Sequence, residues 1–378
     1  MGQPVLGILT LYLNEDRALE ERPIYQKMTS AGKSIGLDVF VFTPQDVNYK
    51  QNRIHAMVYN PETKSWTRKW RTFPHMIYDR CRIQRSRRFE QLLHFRKKYG
   101  HLTFLNRVLR NKWTVYKTMR ADERFRKHLP ATTMYDSIQD VLLMLRKYPI
   151  VFLKPIGGTG GRGILRIEKL RNGQVLIQGR DQSRRIISPQ RVPLSSLSSR
   201  LAKWDLKSKR YMVQQGIQLK LPNGRVHDYR MLVQKNGQGL WEVTGCAARI
   251  GAPRSITSNL HGGGEATSMS SLLEQWLENS DTAGEVKQTA DNFGVETAAF
   301  LEKSYGRLCE LALDIAIDRK GHIWLLEVNP KPAREVFKQA GEKETYRQAI
   351  TRPLEYAMWL YAQKKQRKEA KEAAVTPL

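Results

Sequence analysis

At 378 residues the chain exceeds what one hydrophobic core usually organises, so two or three domains sharing clefts are expected. Its three cysteines, Cys81, Cys246 and Cys309, are widely spaced and form no CxxC pair or Cys/His cluster, which argues against a disulfide framework or a structural zinc site and predicts a reducing, cytoplasmic setting. The formal charge of +28 and pI near 10.1 point to polyanions as partners through long-range attraction and counterion release, but no reader motif for nucleic acid accompanies the charge.

Residues 5 to 13 form a short apolar run without a basic flank or small-residue cleavage site, and read as a first buried strand rather than a secretion signal or membrane span. Arg17 to Gly36 follows with helical spacing, and LDVFVFTP supplies a second strand, giving a β-α-β opening. IHAMVYNPETKSWTRKW predicts two short strands around Asn60 and Pro61, and HMIYDRC a strand ending at Asp79. A small α/β domain is expected over 1–105.

A second lobe is expected over 106–216, with a helix containing NKWTVYKTM, then VLLMLRKY, the strand IVFLKP and a glycine-rich turn. ILRIEK, QVLIQG and YMVQQGI are strand candidates, and PQRVPLSSLSSRLAKW reads as loop and helix. The last lobe, over 217–362, runs through DYRMLVQ, GLWEVTGCAARI, a long glycine-containing loop, a helix over VETAAFLEKSYGRLCELA, and a hairpin of DIAID and IWLLEVN. A closing helix precedes the charged tail 363–378, which is expected to fray. From Arg80 to Lys127 sixteen Lys or Arg face three acids, a net +13; this is either a solvated face of basic helices or a surface for an acidic substrate.

Two segments carry chemistry. In VFLKPIGGTGGRG a strand delivers Lys154 directly before glycines 157, 158, 160, 161 and 163. Small residues let backbone amides approach phosphate and the lysine adds positive charge, although the GxxxxGK[ST] pattern is absent. The second segment is the hairpin with Asp314 on one strand and Glu327 and Asn329 two residues apart on the other. Strand alternation brings them together as hard oxygen ligands suited to Mg²⁺ completed by phosphate.

VFLKPIGGTGGRG, HDYRMLV, TSNLHGGG, LALDIAID and LLEVNPKP occur in the order and spacing of the ATP-grasp superfamily, which residues 106–362 resemble. TLYLNEDRALEER, PHMIYDR and LEVNPKPARE look like its YheC/YheD branch, described as endospore coat-associated in spore-forming bacteria. The resemblance implies an ATP-grasp fold of α/β (α+β) class with an N-terminal pre-grasp domain. It also implies a carboxylate–amine ligase that uses ATP and Mg²⁺, with two ions expected and Mn²⁺ able to substitute, and that forms an acyl phosphate.

Carried over by position, Lys154 and Lys112 resemble the phosphate-binding lysines, with Lys117 the competing assignment for the second. Gly157, Gly158, Thr159, Gly160 and Gly161 resemble the mobile lid, and Gln214, Gln215, Gly216 and Ile217 the hinge that meets adenine. Gln215 stands where many relatives have Glu, which leaves Asp228 as the candidate for the ribose hydroxyls. Arg249 and Arg254 resemble arginines that neutralise the transferring phosphoryl group, Asn259 extends that anion-binding wall, and His261 supports the loop. Asp79 and Arg80 are candidates for the rim of a site for an acidic peptide or polymer, or equally for a structural ion pair. The rival readings are an ATP-binding coat-associated, polyanion-binding or nucleic-acid-binding protein with little or no turnover, and a kinase-like phosphoryl transfer.

Overall fold

The computed structural model describes residues 2–82, 87–157, 160–260 and 263–375, with side chains described up to residue 371. Its first unit contains β1 (Val5–Leu9), α1 (Arg22–Ser34), β2 (Asp38–Phe42), β3 (Val47–Asn48), β4 (Arg53–Asn60), β5 (Ser65–Arg71), β6 (Met76–Asp79) and α2 (Arg87–Lys98). β1 pairs in parallel with β2 and with β6, the order being β3-β4-β2-β1-β6 with β5 on β4. VLGIL and DVFVF are nearly continuous apolar runs because this parallel centre is covered on both faces.

The chain continues through α3 (Lys112–Ala121), α4 (Glu123–Arg126), β7 (Thr132–Met134), α5 (Ile138–Lys147), β8 (Ile150–Pro155), β9 (Leu165–Lys169), β10 (Gln174–Arg180), β11 (Ile186–Pro193), α6 (Leu197–Ala202) and β12 (Tyr211–Gln215). The strands form an antiparallel sheet in the order β11-β10-β9-β8-β12-β7. β11 corrects the expected loop over PQRVP: two prolines are tolerated because this is an edge strand. Residues of 109–129 pack not on this sheet but in the core of the next one, where Val115, Met119 and Phe125 meet Ala298 and Leu301.

The last unit holds β13 (His227–Lys235), β14 (Trp241–Ile250), β15 (Glu265–Ser268), α7 (Met269–Leu277), α8 (Ser280–Tyr305), β16 (Glu310–Ile317), β17 (Ile323–Asn329), α9 (Glu335–Gln339) and α10 (Lys343–Val375), with sheet order β15-β14-β13-β16-β17. The long helix stops earlier than its periodicity predicts: Gly306, at φ +83°, ends α8, and Glu310–Ala312 belong to β16. The expected frayed tail is instead the continuation of α10 to Val375. Its Lys, Gln, Arg, Glu and Ala residues are strong helix formers, and Lys365 pairs with Glu369 at 3.7 Å across one turn.

α10 packs its Ile350, Leu354 and Ala357 into the same core as Ile24 and Met28 of α1, so the first and last units share buried surface. An ionic cluster fastens the same junction. Glu310 accepts from Arg80 and from Arg334, each at 2.6 Å, and from Gln234 at 3.0 Å, and it also bonds Tyr78. Asp79 is held by Arg96 at 2.6 Å and Lys331 at 2.7 Å. Asp79 and Arg80, which the sequence left between a substrate rim and a structural ion pair, are 2% and 1% exposed: they are structural ions, each paired with other residues, with partners up to 252 residues away in the chain.

Candidate active site

The middle and last sheets face one another across a cleft of about 450 Å³. Its walls carry Phe152 and Lys154 from β8, Gln214 from β12, and Asp228, Arg249, Asp314 and Glu327 from the last sheet. On β17 the register slips between the Asp314–Glu327 and Ile315–Leu325 pairs, leaving Leu326 as an extra residue. This bulge explains how the consecutive residues Leu326 and Glu327 both reach the cleft, while alternation brings Asn329 to the same side as Glu327.

Lys154 stands one residue before the end of β8, opposite Met212, and its ammonium donates to Gln214 Oε1 at 2.6 Å. Gln214 in turn donates to Thr132 Oγ1 at 3.1 Å, so its amide is oriented from behind. Burial pulls the Lys154 pKa down to about 8; the charges of Glu327, Asp314 and Asp228 oppose that pull and Lys112 adds to it. Lys112 opens α3, where the Asn111 side chain accepts from Thr114 N at 3.0 Å, and its ammonium lies 3.3 Å from Glu327 Oε2. Lys117, about 140° further round the helix, is exposed and outside the cleft lining.

Across the last sheet, pairing sets Asp228 opposite Arg249 and Arg230 opposite Asp314. The result is a chain of alternating charges on one face. Arg249 Nε and Nη2 each bond Asp228 at 2.7 Å, and Arg249 Nη2 also reaches Asp314 Oδ2 at 3.2 Å. Arg230 bonds the two Asp314 oxygens at 2.5 and 3.0 Å, and Asn329 Nδ2 approaches Asp314 Oδ2 at 3.4 Å. Arg230 and Arg249 hold the buried Asp314 carboxyl below its ordinary pKa against desolvation, so it is anionic. Each Asp228 oxygen accepts one bond from Arg249, so Asp228 orients that arginine. Arg230 was missed at the level of sequence; the signal available was its position two residues after Asp228 on the same strand face.

The other expected residues fall at different depths. Gly160 and Gly161 line the cleft with φ +63° and +75°, a backbone that glycine adopts freely, and a Cβ on Gly161 would lie 2.6 Å from Asn259 Nδ2. Asn259 also lines the cleft; Gly157 does not, and Gly158, Thr159, His261 and Gly262 lie outside the described residues. Gln215 and Ile217 line it, whereas Gly216 sits against Ile150, its N–H donating to Ile150 O at 2.8 Å. Arg254 is exposed and is not among the lining residues.

The donor set fits a metal that is completed by phosphate. Among the described residues no group of three or more His, Cys, Asp or Glu forms a cage. Two carboxylates and an amide are what Mg²⁺ takes when nucleotide oxygens and water supply the rest. Among the described residues Glu327 is bound on one oxygen, by Lys112, and Asn329 uses its amide nitrogen on Asp314, which leaves its carbonyl oxygen for a cation; Asp314 already accepts from Arg230, Arg249 and Asn329 and would meet the cation with a remaining lone pair. No helix among the described residues is long and apolar enough to cross a membrane.

A family model described as YheC/D like ATP-grasp matches residues 101–360. The chain is 27% identical over 350 residues to the endospore coat-associated protein YheC of Bacillus subtilis (strain 168), covering 90% of this chain and 93% of that protein. To the endospore coat-associated protein YheD of the same strain it is 24% identical over 365 residues, covering 94% and 79%. Among solved structures it is similar to the D-alanine-D-alanine ligase from Coxiella burnetii, with TM-score 0.51, 11% identity, and coverage of 99% of this chain and 100% of that one. It is likewise similar to the D-cycloserine synthetase DcsG, with TM-score 0.51, 13% identity, and coverage of 93% and 99%. At these identities the structural likeness speaks for a common fold.

Proposed function

Because this chain belongs to the YheC/D-like ATP-grasp family, we propose that it is an ATP- and magnesium-dependent ligase joining a carboxylic acid to an amine through an acyl phosphate. The observation that carries this reading is the convergence of Lys112 and Lys154 with Asp314, Glu327 and Asn329 on one cleft between two sheets. Lysines alone would suit many anions. Lysines beside a hard oxygen set that is too small to hold a cation by itself suit a metal–polyphosphate.

ATP would lie with its base between Phe152 and Leu326, where the Gln215 and Gly216 N–H groups are already used on Ala131 and Ile150 and the Ile217 backbone is the hinge contact we assign to adenine. Lys112 and Lys154 would hold phosphate oxygens, Gln214 keeping Lys154 in place. Asp314, Glu327 and Asn329 would hold Mg²⁺, which neutralises phosphate charge and orients the γ-phosphoryl group. A substrate carboxylate oxygen attacks the γ-phosphorus and ADP departs. The amine then attacks the acyl carbon, phosphate leaves with the C–O electron pair, and the amine nitrogen gives up a proton. Arg230 and Arg249, locked in place by Asp314 and Asp228, offer fixed positive charge toward the transferring group; positioning and charge do most of the work in such chemistry.

Calorimetric titration of Mg-ATP into the native chain, Lys154→Ala and Glu327→Ala, each with native circular dichroism, tests this reading. Micromolar binding lost in both variants is the expected result; a folded native chain that binds no Mg-ATP would overturn it. ADP release that depends on acid and amine together marks a ligase, whereas a phosphorylated product with no need for amine would convert the reading to a kinase-like transfer. The names of the two curated relatives extend the proposal to endospore coat association. Absence of the chain from extracted coats of its source would remove that extension alone.

A further inference from the structure

Arg180 closes β10 and is 5% exposed, yet among the described residues no carboxylate pairs with it. Among the described residues its side chain bonds Ser255 alone, from Nη2 to Oγ at 3.2 Å, and its buried Nε has no partner. Arg184, in the turn that follows, also has a buried unpartnered Nε, and its guanidinium covers Gly160, where a Cβ would come within 2.6 Å of Nη2. The carboxylate in that turn, Asp181, is directed elsewhere: it bonds Arg185 Nε at 2.9 Å and the Ser183 and Arg185 N–H groups. Burial and the charge of Arg184 both push the Arg180 pKa below its ordinary value, so the two guanidinium groups oppose each other with no carboxylate among the described residues to neutralise them.

Such an arrangement is costly unless an anion enters it, since a buried charge is stable when paired. Its location gives the anion a role. The Arg180 N–H donates to Ile164 O at 2.9 Å, continuing the β9–β10 pairing, and Ile164 lines the nucleotide cleft. Ser255 leads back to the cleft: its Oγ donates to Thr257 O at 2.7 Å, and Thr257 Oγ1 is 3.4 Å from Asn259 Nδ2, which faces the glycine loop at Gly161. Arg162 lines the cleft beside them.

We propose that Arg180 and Arg184 form a subsite for a carboxylate of the substrate other than the reacting one, so that the ligase acts on an acidic substrate bearing several carboxylates, such as an oligopeptide of acidic residues. This rests on the ligase reading for its location beside the phosphoryl-transfer end of the cleft, while the subsite itself is measurable without nucleotide. Two guanidinium forks suit a carboxylate bidentately, which a lysine patch would not.

The test is calorimetric binding of an L-glutamate pentapeptide, with the L-glutamine pentapeptide as the neutral control, to the full chain and to Arg180→Gln and Arg184→Gln. Mg-ATP affinity is measured in parallel. The expected result is that the glutamate peptide binds, the glutamine peptide does not, and each variant weakens the peptide by about tenfold or more while Mg-ATP affinity stays at the native value. Arg184→Lys should recover part of the loss. Equal binding of both peptides, no binding of the glutamate peptide, or unchanged binding in both variants overturns the proposal. Displacement by inorganic phosphate at a site indifferent to the peptide would assign the arginines to phosphate and also overturn it. If Mg-ATP fails to bind the native chain while the peptide behaves as expected, the ligase reading falls and the anion subsite stands.

Discussion

The Lys112 ammonium lies 3.3 Å from the Glu327 carboxylate, tying the first turn of α3 to the end of β17 at the cleft. In the proposed complex each group turns to a new partner, the lysine to phosphate and the carboxylate to the metal. Lys112→Ala should therefore weaken Mg-ATP by about tenfold or more, roughly 1.4 kcal/mol. Lys117→Ala, on the exposed side of the same helix, should leave it unchanged. Calorimetry on the two variants separates the competing lysines.

Lys154 predicts a pH dependence. Its pKa is depressed to about 8, so in the free protein the ammonium is present below that pH and lost as pH rises through it. Phosphate oxygens favour the charged form, so Mg-ATP binding near pH 8 to 9 should take up protons, and affinity should fall as pH rises. Titrations in buffers of different ionisation enthalpy measure the uptake; Lys154→Arg should abolish it, because guanidinium does not titrate there.

Gly216 is tightly confined: a Cβ would lie 2.3 Å from Ile150 Cγ2 and 3.0 Å from the Ile150 carbonyl. Gly216→Ala must shift β8 or the hinge, so it should destabilise the fold by about 1–3 kcal/mol and weaken nucleotide binding together. Denaturant titration with parallel calorimetry checks both effects.

Glu310 is fully buried between Arg80 and Arg334. Glu310→Gln leaves the buried Arg334 without its paired carboxylate and Arg80 with Glu21 alone, and should cost about 3–5 kcal/mol. Glu344→Gln, which breaks an exposed pair with Arg347, should leave the unfolding midpoint where it is.

The sequence by itself determined the elements whose signal is local. Alternation along LLEVN brought Glu327 and Asn329 to one face, the run IVFLKP delivered Lys154 to the end of a strand, and glycines marked the loop that follows. These depend on a strand period of two and on the backbone freedom of glycine, both written in neighbouring residues. The helix expected to run on through CELA and the tail expected to fray failed for a related reason: apolar periodicity does not announce the glycine that ends α8, and packing of α10 on α1 carries a helix into a charged segment.

Tertiary structure alone decided which charges are structural and which face the cleft. Asp79 and Arg80 read equally as a substrate rim or a structural pair until Lys331, Glu310 and Arg334 arrive from the far end of the chain and bury them. The β13–β14 register set Arg249 against Asp228, and the β13–β16 register brought Arg230 to Asp314. That no carboxylate among the described residues stands beside Arg180 is equally invisible in a chain with 64 basic and 36 acidic residues. Whether a charge is neutralised depends on which strand pairs with which across tens or hundreds of residues, and composition carries no record of that pairing.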